Sequence, residues 1–138
     1  MNHFKSSFVI HKPVNQVFKI LSDVEDYKTF IPYCVESKII QEHRNYSLVS
    51  LNLEFIGIQT SLTTKNVVEN NKSIEMDLID GPFEEFKSSW KIQEIDEHTT
   101  NLNFEMSYKI KNKLLEIAFK KNLKPASESI IRAFKSKI

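Results

Sequence analysis

Histidine and cysteine are the side chains of this sequence best suited to chemistry near neutral pH. The chain has four histidines, His3, His11, His43 and His98, and one cysteine, Cys34. No pair of histidines has metal-ligand spacing with a carboxylate between them, so we predict that each is a solvated or hydrogen-bonded side chain rather than a metal ligand. No spacing places a histidine beside Cys34 as its base, which favours a buried apolar role for the thiol.

Acidic and glycine-rich sites give equally little sign of catalysis. The two glycines, Gly57 and Gly81, are too far apart to form a phosphate-binding loop. Asp80 lies in the string Asp80-Gly81-Pro82-Phe83, where Asp, Gly and Pro each have a conformational reason to occupy a hairpin turn. The sequence therefore predicts a protein that is not an enzyme and requires no cofactor, although a cyclase or dehydrase with a buried acid or base stays open.

The charge of the sequence is nearly balanced overall but uneven along its length. The net charge is +1, yet residues 1–108 carry ten Lys/Arg against sixteen Asp/Glu, and residues 109–138 carry nine against two. A basic segment of this kind usually forms a solvated surface. The size of the excess also favours an anionic partner, either lipid headgroups or RNA, and we predict no DNA partner.

Length and composition indicate one globular domain. The 138 residues, 41% of them hydrophobic and 27% charged, suffice to bury a core, and we predict a single domain over residues 1–138. One cysteine cannot form an internal disulfide, and the alternation of polar and apolar residues from Met1 predicts no targeting peptide. A cytoplasmic location is predicted, with a peripheral position on the inner face of the cell membrane left open.

Hydrophobic periodicity predicts the order of the elements. Residues 4–10 alternate as in a half-buried strand, and Pro13 suits the first position of a helix. Ser22 and Glu25 have the spacing of a capping box for a second short helix. The period then changes to two, which predicts an antiparallel meander with strands at 35–43, 46–56, 58–69, 73–80, 84–95 and 98–109.

A last helix is predicted from Asn112, its capping residue, to about Lys137, with apolar residues at three- and four-residue steps. Pro125 lies in the middle of this helix. A proline there removes the hydrogen bond to the carbonyl of Lys121 and clashes with that turn. We therefore predict that the helix is bent or divided between about residues 122 and 126.

Three strings of residues, in this order along the chain, resemble those of a known family. They are Asp26-Tyr27-Lys28-Thr29-Phe30-Ile31-Pro32-Tyr33-Cys34 with Ser37, Asp80-Gly81-Pro82-Phe83 with Trp90-Lys91-Ile92, and Tyr108-Lys109-Ile110-Lys111-Asn112-Lys113-Leu114-Leu115. The sequence resembles the coenzyme Q-binding START family of the SRPBCC superfamily, whose bacterial members are also called ribosome-association toxins and are often labelled polyketide cyclase-like. It departs from the family at Lys28, where a proline is usual, and at Pro125.

The resemblance implies an α+β helix-grip fold, in which a curved antiparallel sheet of about seven strands surrounds a long C-terminal helix and two short helices follow the first strand. It also implies a cavity that holds ubiquinone or a similar isoprenoid, in support of respiration and quinone biosynthesis. Aromatic side chains suit such a ligand, although they also suit an ordinary core. The residues that we assign to the cavity are Phe30, Pro32, Tyr33, Phe55, Phe83, Phe86, Trp90, Tyr108, Leu115 and Phe119.

A second group of residues is predicted to contact a larger partner. Ile56 and Ile58 place two aliphatic side chains at a hairpin tip, which favours either membrane contact or packing against the last helix. Five basic residues of that helix are candidates for contact with an anionic membrane or with ribosomal RNA, namely Lys113, Lys120, Lys124, Arg132 and Lys135. The alternative function is thus a ribosome-association toxin-type regulator that binds the large ribosomal subunit, and quinone-biosynthesis enzymes are further candidate partners.

Overall fold

A computed structural model describes residues 2–138 as seven β-strands and four α-helices. The helices are α1 (Val14–Ser22), α2 (Tyr27–Phe30), α3 (Lys113–Phe119) and α4 (Leu123–Lys137), with a short 3-10 turn at Val24–Asp26. The strands are β1 (Asn2–Ile10), β2 (Cys34–Glu42), β3 (Ser47–Phe55), β4 (Ile58–Glu69), β5 (Ser73–Asp80), β6 (Phe83–Asp96) and β7 (Thr99–Ile110). Each strand predicted after the first has bounds within one residue of those observed.

All seven strands form one antiparallel sheet in the order β1-β7-β6-β5-β4-β3-β2. Consecutive strands from β2 to β7 are neighbours, and β1 joins the far edge by pairing with β7 from Asn2↔Tyr108 to Ile10↔Thr100. Register shifts interrupt the pairing of β2 with β3, of β4 with β5 and of β6 with β7. Such bulges bend a strand and increase its twist, which lets the sheet curve around the C-terminal helices. The α+β helix-grip architecture predicted from the sequence is confirmed.

The first helices follow the chain's apolar pattern, with two corrections. Pro13 is the residue before α1 rather than its first position, and its carbonyl accepts the amides of Gln16 and Val17. The predicted capping box is wrong. Ser22 ends α1 and contacts the carbonyl of Lys19, whereas a carboxylate oxygen of Glu25 accepts the amide of Ile39 in β2.

The C-terminal helix is divided rather than long and continuous. Asn112 caps α3 by accepting the amide of Leu114 at 2.7 Å, as predicted. Helix α3 ends at Phe119 and α4 begins at Leu123. The break at residues 120–122 therefore overlaps the predicted range of 122–126 only at residue 122. Pro125 is the third residue of α4, where a backbone N–H would have no partner within the helix, so its cost is largely avoided.

The core fills the end of the sheet that packs against α1. Leu21, Ile74, Trp90 and Leu102 are almost completely buried there. The Trp90 ring lies 4.8 Å from that of Phe104 and also contacts the rings of Phe8 and Phe134. The opposite end of the sheet borders a cavity that α3 and α4 help to close. In residues 2–138, no helix combines the length and apolar character needed to cross a membrane.

Candidate ligand-binding cavity

A cavity of about 220 Å³ lies between the concave face of the sheet and α4. Strands β3 to β7 contribute side chains at alternate positions, because alternate residues of a strand face the same side. The segment before β2 and the helices α3 and α4 close the remaining sides. The residues that line the cavity are Tyr27, Ile31, Pro32, Tyr33, Cys34, Leu51, Leu53, Phe55, Thr60, Leu62, Thr64, Met76, Pro82, Phe83, Phe86, Ser88, Trp90, Phe104, Met106, Tyr108, Phe119, Leu123, Ala126, Ser127, Ile130 and Phe134.

Aromatic rings gather at the α3 end of this cavity. Phe55 contacts Tyr33 at 5.0 Å and Phe119 at 5.2 Å between ring centroids. On the opposite wall, Phe83 contacts Phe86 at 5.2 Å and Tyr108 at 6.0 Å. These distances are those of favourable tilted and edge-to-face aromatic pairs. The two groups present ring faces and edges to the cavity from both sides.

The cavity reaches solvent at the same end. Tyr33 keeps 37% of its surface exposed, while Phe55, Pro82 and Phe83 are half-buried. Tyr33 also has a φ of 71°, in the left-handed region that a bulky residue seldom adopts. Its carbonyl accepts the amide of Glu54 at 2.8 Å, which holds this conformation against the end of β3.

Only a few polar atoms interrupt the apolar wall. The hydroxyls of Thr64 and Ser127 donate to the protein itself, to Asn66 Oδ1 at 2.6 Å and to the Leu123 carbonyl at 2.7 Å. Ser88 lies on β6 directly opposite Met76 and Met106 of the neighbouring strands and is buried. The wall can therefore offer one or two hydrogen bonds to a ligand that is otherwise held by apolar contact.

Three titratable groups of the wall, Tyr27, Cys34 and Tyr108, have raised pKa values. The Tyr27 hydroxyl donates to the Leu21 carbonyl, and its burial raises the phenol pKa well above the ordinary range. Burial also raises the pKa of Tyr108. The Cys34 thiol, which donates to the Glu36 carbonyl at 3.4 Å, has its pKa raised by burial and by the negative charge of Glu36. These groups are poor bases and nucleophiles at neutral pH.

Most residues assigned to the cavity from the sequence line it. They are Pro32, Tyr33, Phe55, Phe83, Phe86, Trp90, Tyr108 and Phe119. Phe30 does not line the cavity. Its ring packs against the ring of Phe134, with 5.5 Å between centroids, and it is Phe134 that faces the cavity. Leu115 does not line it either, since it lies one turn before Phe119 and is only half-buried. Helix α3 thus contributes to the cavity through its last turn.

Sequence reasoning omitted several residues of the wall. Leu51 and Leu53 precede Phe55 on the inward face of β3, and Phe104 and Met106 precede Tyr108 on that of β7. The same alternation that identified these faces was sufficient to find them. Thr64, Ser88 and Ser127 carry no comparable signal, because a polar residue on an inward face looks like an outward one in sequence.

The histidines lie away from the cavity. All four are exposed, and the His43 ring stacks on Tyr46 with 4.5 Å between centroids. Within residues 2–138, no group of three or more His, Cys, Asp or Glu side chains could hold a metal ion.

The residues predicted to contact a membrane or RNA fall into separate groups. Ile56 is 52% exposed at the β3–β4 tip, and Ile58 is half-buried beside it. Lys113, Lys120 and Lys124 are exposed on α3 and at the start of α4. Two other basic residues, Arg132 and Lys135, lie further along α4, where Arg132 donates to Ser129 and the Lys135 ammonium lies 4.4 Å from the centroid of Phe8.

A curved antiparallel sheet that encloses an apolar cavity against a C-terminal helix defines a START-like helix-grip protein. The chain belongs to the polyketide cyclase / dehydrase and lipid transport family, whose model matches residues 10–135.

Curated relatives carry two kinds of name. The ribosome association toxin RatA of Escherichia coli strain K12 is 29% identical over 119 residues, which cover 86% of this chain and 75% of the toxin. The mitochondrial coenzyme Q-binding protein COQ10 of Dictyostelium discoideum is 35% identical over 86 residues, which cover 59% of this chain and 42% of that protein.

Solved structures agree with the fold. The Zhui aromatase/cyclase from Streptomyces sp. R1128 superposes with a TM-score of 0.82 at 16% identity, over 99% of this chain and 92% of the other. A START superfamily protein from Mycobacterium smegmatis gives a TM-score of 0.82 at 17% identity, over 99% and 96% of the two chains. At these identities the likeness concerns the fold alone.

Proposed function

We propose that this protein binds a hydrophobic isoprenoid, with ubiquinone as the leading candidate, and performs no chemistry on it. In this role it supports respiration and quinone biosynthesis by presenting the ligand to enzymes. The observation that carries the proposal is the aromatic-lined apolar cavity between the sheet and the last two helices.

The wall suits a quinone in two respects. Its flat ring can pack against the aromatic side chains, of which Phe55 and Phe83 stand on opposite walls, and the isoprenoid tail needs only apolar contact. A quinone carbonyl can accept a hydrogen bond from one of the few wall hydroxyls, such as that of Ser88. A small polar head on a long apolar body matches this distribution of polar atoms.

The size of the cavity limits how the ligand is held. Its volume of about 220 Å³ is below the roughly 300–1,000 Å³ of most small-molecule pockets. A headgroup with the first part of a tail fits better than an entire polyprenyl chain. The rest of the tail would leave through the opening near Tyr33, or α3 would move outward to enlarge the cavity.

Relatives support this proposal only in part. COQ10 is by name a coenzyme Q-binding protein, and it aligns with this chain over 86 residues. A reaction would need a proton acceptor, and three of the titratable wall groups, Tyr27, Cys34 and Tyr108, have raised pKa values. This favours binding over cyclase or dehydrase chemistry.

Lipid extraction tests the proposal directly. The purified protein is extracted and its bound lipids are identified by mass spectrometry. We expect an isoprenoid quinone with the wild type and with Glu54→Gln, which changes an exposed residue of β3. We expect it to be lost from Leu53→Gln, which places an amide in the cavity wall one residue away. Equal lipid content in both variants, or no quinone in any sample, would refute the proposal.

A second candidate function is regulation at the ribosome, favoured by the RatA relatives, of which that of Escherichia coli strain K12 aligns with 86% of the chain. The exposed lysines of α3 and α4 would contact phosphates of ribosomal RNA and hinder subunit joining. Such binding should weaken steeply with salt, because each neutralised phosphate releases a counterion. Sedimentation profiles of ribosomes that do not change at low salt when the protein is added would exclude this function.

A further inference from the structure

Helix α3 has an exposed apolar side as well as a buried one. Phe119 is buried and Leu115 is half-buried, whereas Leu114 and Ile117 are 77% and 74% exposed. Leu114 and Ile117 are three residues apart and therefore lie on the same side of the helix. Large aliphatic side chains exposed together in this way commonly mark a contact surface.

Lysines surround this apolar side. Lys113 and Lys120 lie four residues before and three residues after Ile117, which makes them its neighbours on the helix surface. Lys121 and Lys124 follow in the break and at the start of α4, and all four are exposed. In the described part of the chain, none of the four has a carboxylate oxygen within 4.0 Å.

Two lysines elsewhere in the basic segment do have such partners. Lys109 contacts Glu84 at 3.1 Å, and Lys137 contacts Asp26 at 3.7 Å. Lys111, Arg132 and Lys135 also lack a carboxylate oxygen within 4.0 Å, so four of the seven unpaired cations described in residues 109–138 lie on α3, in the break and at the start of α4.

The hairpin tip adds a third aliphatic side chain at the same end of the molecule. Phe55, the last residue of β3, contacts Phe119 at the end of α3. The next residue, Ile56, is 52% exposed and has a φ of 53°, an unfavourable conformation for a β-branched residue. An exposed and strained isoleucine at a turn indicates a role other than folding.

We infer that Leu114, Ile117 and Ile56, with the lysines Lys113, Lys120, Lys121 and Lys124, form a docking surface for an anionic lipid bilayer. This set is called the α3 surface. The three aliphatic side chains enter the interfacial region while the ammonium groups stay among the anionic headgroups.

The α3 surface lies beside the cavity opening, so docking on a bilayer would bring that opening close to the lipids. The Phe55–Phe119 contact forms part of the cavity wall, so the bilayer would lie next to the route by which a tail enters or leaves. This step rests on the proposed function, whereas docking itself does not. A lipid surface is favoured over RNA because aliphatic tips offer bases no stacking platform.

Vesicle co-sedimentation tests the inference. We expect the protein to bind phosphatidylcholine vesicles that contain phosphatidylglycerol and to bind pure phosphatidylcholine vesicles much more weakly. The double variant Leu114→Ser/Ile117→Ser should bind at least about tenfold less, since two aliphatic side chains no longer leave water. The double variant Lys120→Glu/Lys124→Glu should lose the preference for anionic vesicles.

A matched control separates this surface from exposed apolar residues in general. Val68 and Ile95 are 45% and 53% exposed at the far end of the sheet. Val68→Ser/Ile95→Ser should leave vesicle binding unchanged, and thermal unfolding of all three double variants verifies that they fold.

Three results would overturn the inference. They are no binding to anionic vesicles, equal binding by the two double serine variants, and capture of ribosomal RNA in place of vesicles through the same residues. The vesicles carry no quinone, so a failure to bind them says nothing about ligand binding in the cavity. Ligand binding is measured separately, without vesicles, by the quenching of Trp90 fluorescence with a short-tailed quinone.

Discussion

The ring of Phe119, at the end of α3, lies 5.2 Å from the ring of Phe55, at the end of β3. This contact joins a short helix to the hairpin tip across one end of the cavity. Apart from this contact, α3 packs mainly on β7. Movement of this pair is therefore the simplest way to admit a ligand.

Removing the Phe119 ring should open the cavity. In Phe119→Ala we expect ligand dissociation at least tenfold faster than in the wild type, because the contact with Phe55 is lost. Loss of the buried ring should lower the free energy of unfolding by about 3–5 kcal/mol. Stopped-flow measurement of quinone release gives the rate. An unchanged rate would mean that ligands enter by another route.

Pro125 should control where the C-terminal helix divides. In Pro125→Ala the clash with the turn before it is absent, so residues 120–122 should become helical and increase the far-UV circular dichroism signal. The free energy of unfolding should change by less than about 1 kcal/mol, since a proline in the first turn is tolerated. If the helical signal stays the same, residues 120–122 themselves determine the break.

The Ile56 turn should cost stability. Ile56 and Gly57 have φ values of 53° and 72° and connect β3 to β4, a conformation in which Asn is favoured before Gly. Ile56→Asn should therefore raise the free energy of unfolding by about 1 kcal/mol, measured by urea denaturation. The exposed substitution Gln59→Asn, outside the turn, serves as the control. A decrease in stability would show that Ile56 is held by packing that outweighs the strain.

Cys34 should report on the cavity through its reactivity. Its raised pKa means that the folded state retains the thiol proton, so alkylation by iodoacetamide should be slow at pH 7 and accelerate only above the ordinary thiol range near 8.5. The proton linkage favours the folded state below that value and is lost as pH rises through the folded pKa. Bound ligand should slow the reaction further. Rapid alkylation at pH 7 would contradict this account of the wall.

Periodicity predicted the strands closely because alternate burial is a local property. Val49, Leu51, Leu53 and Phe55 show this on β3, and their strand ends within one residue of the prediction. Asn112 likewise carries its capping signal in its own side chain. Pro125 likewise carries a local signal, because a proline disrupts the helical turn before it, and it predicted a divided helix. The proline itself lies after the break.

The cavity was harder to predict because it depends on how elements meet. Phe30 and Phe134 are both apolar residues at helical positions, and only the packing of α2 on α4 places Phe134 at the cavity and Phe30 outside it. Ser88 and Thr64 are polar residues on inward faces. On the exposed side of α3, Lys113 and Lys120 were predicted to contact a partner, but Leu114 was not, because an aliphatic side chain carries no sign of its exposure in the sequence.

Quenching of Trp90 fluorescence tests the central claim most directly. Trp90 is the only tryptophan of the sequence, is 1% exposed and lines the cavity. A quinone that enters the cavity comes within quenching distance of its indole. We expect titration with a short-tailed ubiquinone to give saturable quenching that a non-quinone isoprenoid alcohol reverses by competition, and to give none in Leu53→Gln. Quenching that rises linearly with quinone concentration, and equally in both proteins, would contradict the account.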